Sequence, residues 1–437
     1  MRRKTTRHKH YQLRVPHLRR GRVPHLRDSF IVAKVGNRAK RDPLFPRICK
    51  AATILALLLT PSLAQAQWDI QDSHTTASLR GIANVGGGVA WASGTEGTVL
   101  RTEDGGYLWQ GCAIPPGAEK LDFRGIQAFD ENTAIVMSSG KGDLSRLYKT
   151  TDGCRTWKLL FTNPDKEGFW DAFWMNALNG EGMLIGDPVD DRFAVFETKD
   201  GGTGWHQDQS RSLHLHGMSL GAFAASNSSL GKADRGNGDM RGSGVDFFPG
   251  FATGGKDGVF LFERWEGPSH SKTRYGRGLP GWPTPDWSRR RIPLAAGADS
   301  AGAFALALRF TGSSCQDCGF GAYWHLVAVG GDYAKPEESG GTAAISDEDG
   351  GWTWQASITP PHGYRSAVAY DTTAKTWITV GPNGTDISTD DGKNWSPLKP
   401  TASEPPDADK NWNALSLPFV VGPKGRIGKL RSDALKP

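Results

Sequence analysis

Several groups of residues have the types and spacing to do chemistry. Arg80-Gly-Ile82 and Arg124-Gly-Ile126 repeat one tripeptide, and Asp171-Ala-Phe173, Arg365-Ser-Ala367 and Asn413-Ala-Leu415 fall in the same register of a longer pattern. Guanidinium forks gathered at one place hold a carboxylate or phosphate through two parallel hydrogen bonds. Bonding to neighbouring backbone is the alternative use of the same side chains. A second basic run includes Arg274, Arg277, Arg289, Arg290 and Arg291, and reads either as a solvated loop or as a docking patch for an anionic partner. Cys315-Gln-Asp-Cys318 is close enough for a local disulfide. A redox role would need a helix N-terminus to stabilise the thiolate, and the flanking SSCQDCGFG reads as loop. His214-Leu-His216 sets two imidazoles on one strand face, but no carboxylate or cysteine nearby completes a ligand set. No metal and no cofactor is expected.

The elements that must position these residues come from a repeat. Ser/Thr-x-Asp-x-Gly-x-x-Trp recurs with its aspartates at Asp104, Asp152, Asp200, Asp349 and Asp390, and its tryptophans at Trp109, Trp157, Trp205, Trp354 and Trp395. Each copy follows a β-branched or aliphatic run and precedes another short strand, so each is a hairpin turn. The Asp and Ser/Thr side chains bond turn N–H groups, Gly supplies positive φ, and Trp plugs between sheets. Two copies depart from the pattern, Cys154 replacing Gly and Asp347 replacing Ser/Thr, and neither prevents a turn. The aspartates are therefore structural.

Their spacing is 48, 48, 149 and 41 residues. The long gap fits three periods, and the register opened by Arg80 recurs seven times once Gly221-Ala-Phe223 and Gly302-Ala-Phe304 are included. The expected architecture is all-β, a seven-bladed β-propeller of four-stranded antiparallel blades. Asn413 predicts a turn just beyond Pro437, so the last blade is one strand short, and Trp68-Asp-Ile-Gln71 supplies that strand from the other end. Closure of this kind leaves no open sheet edge. Residues 67–437 then form one domain, with the register residues converging on one mouth of the central channel.

The net charge of +6 does not describe that domain. Residues 1–50 hold 16 Lys/Arg and two acids, leaving 36 basic and 44 acidic side chains in residues 67–437. A mildly acidic ring excludes a general nucleic-acid binder. Residues 48–63 are apolar behind a basic flank and end in Ala64-Gln65-Ala66, which reads as a secretory signal cleaved after Ala66 and a periplasmic or secreted product. The preceding basic extension, with its near-duplicated Arg14–Arg19 and Arg22–Arg27, is either an arm for anionic head groups or a stretch upstream of the true start.

The turn motif resembles the Asp-box, or bacterial neuraminidase repeat, of β-propellers. Arg291-Ile292-Pro293 superficially matches the sialidase signature, which implies a sialidase-type glycosidase or a carbohydrate-binding propeller as one reading. Its position after three motif copies is wrong for that family, and no Tyr/Glu pair falls in register. LRGIANV, FRGIQAF and the closing VVGPKGRIGKL resemble the photosystem II stability/assembly factor family. That resemblance implies a monomeric, non-catalytic scaffold for a protein or peptide partner, such as a membrane-complex subunit.

Overall fold

The computed structural model describes residues 67–176, 179–233, 250–265, 286–313, 322–346, 353–398 and 407–435. The leader, Arg274, Arg277, Cys315, Cys318 and Asp349 lie outside them. The described residues form a seven-bladed, all-β propeller of antiparallel blades. Blade 1 is built from Leu79–Gly86, Val89–Gly94, Val99–Thr102 and Gln110–Gly111, and its two successors begin at Phe123–Ala128 and Trp170–Met175. Blade 4 has strands Gly250–Ala252, Phe260–Trp265 and Asp286–Arg291, and a bridge from Leu230 to Phe251 takes the innermost position. Blade 5 opens with the long hairpin Ala301–Ser313 and Ala322–Asp332, blade 6 with Ala367–Asp371, and blade 7 with Ala414–Ser416.

Seven apolar clusters hold the described residues together, and each straddles two neighbouring blades. Trp91 and Val99 of blade 1 meet Phe123 and Tyr148 of blade 2, for example, and Ala305 and Val327 of blade 5 meet Val368 and Trp377 of blade 6. Period-2 alternation in a sheet covered on both faces explains why strands such as Ala134–Ser138 are buried throughout.

The recurring turn is made the same way in all four described copies. Thr102 Oγ1 donates to Asp104 Oδ1 at 2.8 Å and accepts from the Gly106 N–H at 3.0 Å, while Asp104 Oδ1 accepts from the Leu108 N–H at 3.0 Å. Thr150/Asp152, Thr198/Asp200 and Ser388/Asp390 repeat these bonds. The Thr156 hydroxyl, followed by its backbone N–H, brings the Asp152 carboxyl down to about 2. Each described motif Trp packs into the cluster shared with the preceding blade, as Trp109 does beside Phe419 of blade 7.

Closure runs as the spacing predicts. Trp68–Gln71 pairs antiparallel with Ile427–Leu430 as the fourth strand of blade 7. Trp68 donates its indole N–H to Thr385 Oγ1 of blade 6 at 3.1 Å, and Gln71 Oε1 accepts from the Trp109 indole of blade 1 at 2.8 Å. One short strand thus fastens the seam to both neighbours.

The glycine position that holds a cysteine has a partner. Cys154, at φ 62°, forms a disulfide with Cys112, tying the edge of blade 1 to the turn of blade 2 across 42 residues. Cysteine spacing could not pick this pair, because only the blade stacking brings the two together. Cys154→Gly restores the residue best suited to that backbone and removes only the link, so the fold persists and stability falls by about 2–4 kcal/mol. Urea unfolding checks this, with reduced wild type matching the variant.

Candidate functional site

The inner edges of the blades end around one opening of the channel, a cavity of about 770 Å³. Arg80, Arg124, Asp171 and Asn413 line it, each from the first residues of its blade. Their neighbours divide the mouth into two halves. Blades 1 to 3 supply charge, and blades 4 to 6 supply the aromatic rings of Phe223, Phe304, Tyr333 and Tyr364.

On the charged side, Arg124 Nε donates to Asp122 Oδ2 at 2.8 Å and its Nη1 reaches the Ala224 carbonyl at 3.4 Å. Arg80 Nε stands 3.7 Å from Asp122 Oδ1, and among the described residues its guanidinium makes no hydrogen bond. Burial draws its pKa down, against the pull of Asp122. Asp171 is 1% exposed, with Oδ2 unpartnered among the described residues. Burial, then the nearby charge of Asp187, pushes its carboxyl well above the usual range. Asp187 Oδ1 accepts from the Ala222 N–H at 3.0 Å, and burial raises that carboxyl to about 6.

On the aromatic side, Phe223 stacks on Phe304 at 3.9 Å, and Tyr333 and Tyr364 meet Phe304 edge-on at 5.9 and 4.8 Å. The Gly302 register position makes this possible, since a Cβ there would stand 2.5 Å from the Phe223 ring. Burial raises the Tyr364 pKa. The innermost segment of blade 4 then crosses the ring. Besides the Ala224 contact with blade 2, Asn227 Oδ1 accepts from the Phe173 N–H of blade 3 at 2.7 Å, and Leu306 of blade 5 donates to the Ser228 carbonyl at 2.8 Å. Ser226 Oγ reaches the Ser366 carbonyl of blade 6 at 3.3 Å. A segment bonded to four blades, two of them not its neighbours, makes the mouth a floored cup.

Arg365 does not join the mouth. Its side chain is fully buried in blade 6, donating through Nε to Asp386 Oδ2 at 2.9 Å, with a second bond from Nη2. His362 Nδ1 lies 2.7 Å from Asp386 Oδ1. A buried guanidinium needs such a carboxylate, and the adjacent Tyr364 takes the rim position instead. Asn413 lines the mouth but spends its amide on the Leu79 carbonyl of blade 1 at 2.7 Å. Of the second basic run, Arg289, Arg290 and Arg291 lie on the outermost strand of blade 4, Arg289 against the Phe260 ring at 5.8 Å. Arg291 is therefore nowhere near a catalytic position in the mouth. Spacing pointed to the charged half and overlooked Asp187 and the aromatic half; Phe223 and Phe304 stood in the register, each two residues after its glycine, as a visible signal.

A wider recess of about 1290 Å³ lies at the outer seam, but its charged groups have partners: Arg431 Nη1 bonds Asp69 Oδ1 at 2.8 Å, Lys429 Nζ donates to the Gly105 carbonyl at 2.8 Å and Asp371 Oδ1 accepts from the Thr373 N–H at 2.8 Å. The mouth, in contrast, holds buried polar atoms with no hydrogen-bond partner among the described residues.

The chain is similar in fold to solved seven-bladed propellers. It superposes on "YCF48 bound to D1 peptide" with a TM-score of 0.52 and 18% identity, covering 85% of this chain and 99% of the other. It also matches YCF48 from Cyanidioschyzon merolae with a TM-score of 0.49 and 17% identity, covering 84% of this chain and 100% of the other. YCF48 is a photosystem II assembly factor. No protein-family model matches the chain, and no curated protein matches its sequence.

The raised carboxyls set a pH dependence. Between pH 4 and 6 the folded chain keeps a proton on Asp187 that the unfolded chain has released, so stability falls as pH rises through that window. Asp187→Asn keeps the acceptor for Ala222 and removes the charge. It recovers about 3 kcal/mol at pH 8 and changes little at pH 4, as read from urea unfolding at the two pH values.

Proposed function

We propose that the chain is a non-catalytic, exported propeller scaffold that binds a protein or peptide partner at the channel mouth, similar in role to the photosystem assembly and stability factors. The observation that carries this reading is the floored cup itself. It sets the Arg80 guanidinium, which makes no hydrogen bond among the described residues, and the neighbouring Arg124 opposite aromatic rings where the blades converge. Peptides are recognised by that combination, charge fixing orientation and aromatic faces supplying apolar area. A solved propeller of similar fold, bearing a D1 peptide, supports the same class of partner.

Export fits the Cys112–Cys154 disulfide, since such links persist in oxidising compartments. The recurring Thr/Ser–Asp turn is of the Asp-box kind, and we assign it a structural role only. The exposed arginines on blade 4 give a second, outer contact surface.

Peptides selected from a random library on the full chain test the assignment. Arg80→Ala and Tyr333→Ala each weaken the selected peptides at least tenfold while the thermal midpoint stays within two degrees. Wild-type affinity in both variants moves the binding site away from the mouth.

A further inference from the structure

The blade 3 side of the cup asks for a cation. Asp171 Oδ2 is buried in the lining with no hydrogen-bond partner among the described residues, and Asp187, whose backbone N–H lies against the Asp171 carboxyl, stands beside it. Arg80 and Arg124 share Asp122, so these five groups leave one negative charge uncompensated when all are ionised. Asp299, also at the rim, is paired with Lys256 at 2.8 Å. The blade 4 stretch against Asp187, Ser219–Ala225, carries no charge, and among the described residues no lysine lines the mouth. That stretch contributes Phe223, and beyond it come Phe304, Tyr333 and Tyr364. Carboxylates beside aromatic rings recognise an ammonium group, by ion pairing on one side and attraction to ring faces on the other.

We infer that Asp171 and Asp187, with the aromatic wall of blades 4 to 6, form a subsite for a primary ammonium group of the bound peptide. The source is a lysine side chain or a free N-terminus. The inference rests on the peptide-binding reading and adds to it the chemistry of one anchor. Ammonium binding would supply the missing partner of Asp171 Oδ2 and compensate the residual charge. Burial raises both carboxyls, so each ionises at higher pH than an ordinary carboxylate, and affinity for an ammonium rises with pH as they lose their protons. A guanidinium does not titrate between about pH 5 and 8, so the arginines do not set this dependence.

The test uses acetyl-Gly-Gly-Lys-Gly-Gly-amide, whose lysine is its only charge, titrated calorimetrically into the full chain at pH 5 and pH 8. A second arm carries Nε-acetyl-lysine, and a third is pentaglycine amide with a free N-terminus. The lysine or the free-amine probe binds at least tenfold more tightly at pH 8 than at pH 5, with proton release shown by different heats in phosphate and Tris. Acetylation of the lysine removes binding if the side chain is the ligand, and the third arm identifies the terminus if it is not. Asp171→Asn and Asp187→Asn each lose at least tenfold while retaining a cooperative melt. Equal binding of the acetylated peptide and the lysine peptide, tighter binding at pH 5, no binding of either amine, or wild-type affinity in both variants overturns the subsite. Library-selected peptides that keep their affinity after acetylation of every amine also overturn it and leave peptide binding at the mouth standing. Selected peptides indifferent to Arg80→Ala and Tyr333→Ala remove both.

Discussion

The structure depends on one constraint: no blade has a core of its own. Each apolar cluster draws its residues from two neighbouring blades, so a blade is buried only if both neighbours are in place. A row of such sheets would end in two unburied faces, and a closed ring has none. The seam strand Trp68–Gln71 meets that demand. Trp68 enters the cluster between blades 6 and 7, the same place relative to its blade that the motif tryptophans occupy in theirs. Several weak features then have a common purpose. The repeated Thr/Ser–Asp turns fix where each Trp enters, and the Cys112–Cys154 link fixes one turn against the preceding blade.

Ring closure also makes the mouth. Seven inner edges meet at one opening, and what they present differs because the register residues differ. Arginine and aspartate stand at the openings of blades 1 to 3, whereas glycine at Gly302 of blade 5 admits the Phe223 ring of blade 4, and Gly221 lies against Asp187. The resulting cup gathers its arginines with Asp171 and Asp187 on one side and the four-ring cluster of Phe223, Phe304, Tyr333 and Tyr364 on the other. Its floor is the irregular inner segment of blade 4, whose polar groups are bonded to four other blades. Rigid support beneath unpaired polar groups is how a binding site is kept ready at low entropic cost.

Blade number, blade opening and seam were legible because each follows from a period, and period survives in the chain whatever individual side chains do. Placement of the register side chains was legible only in part. Arg80 and Arg365 look alike in sequence, yet Asp386, two strands along the same blade, draws Arg365 inward while Arg80, among the described residues, has only the shared Asp122 as an ion-pair partner. Nothing near Arg365 in the chain announces that partner. Asp187 is likewise invisible as a site residue, since its meaning comes from lying beside Asp171 in a folded sheet. Cysteine count made pairing reasonable, and blade stacking decided which pair formed.

The most direct measurement of the central claim is hydrogen exchange of the full chain with and without a bound partner peptide. Binding at the mouth slows exchange in residues 219–225, 331–336 and 364–366, which come from three different blades and meet only there. Protection confined to residues 286–291 on the outer strand of blade 4, or to the outer seam at residues 69–72 and 429–433, would contradict it.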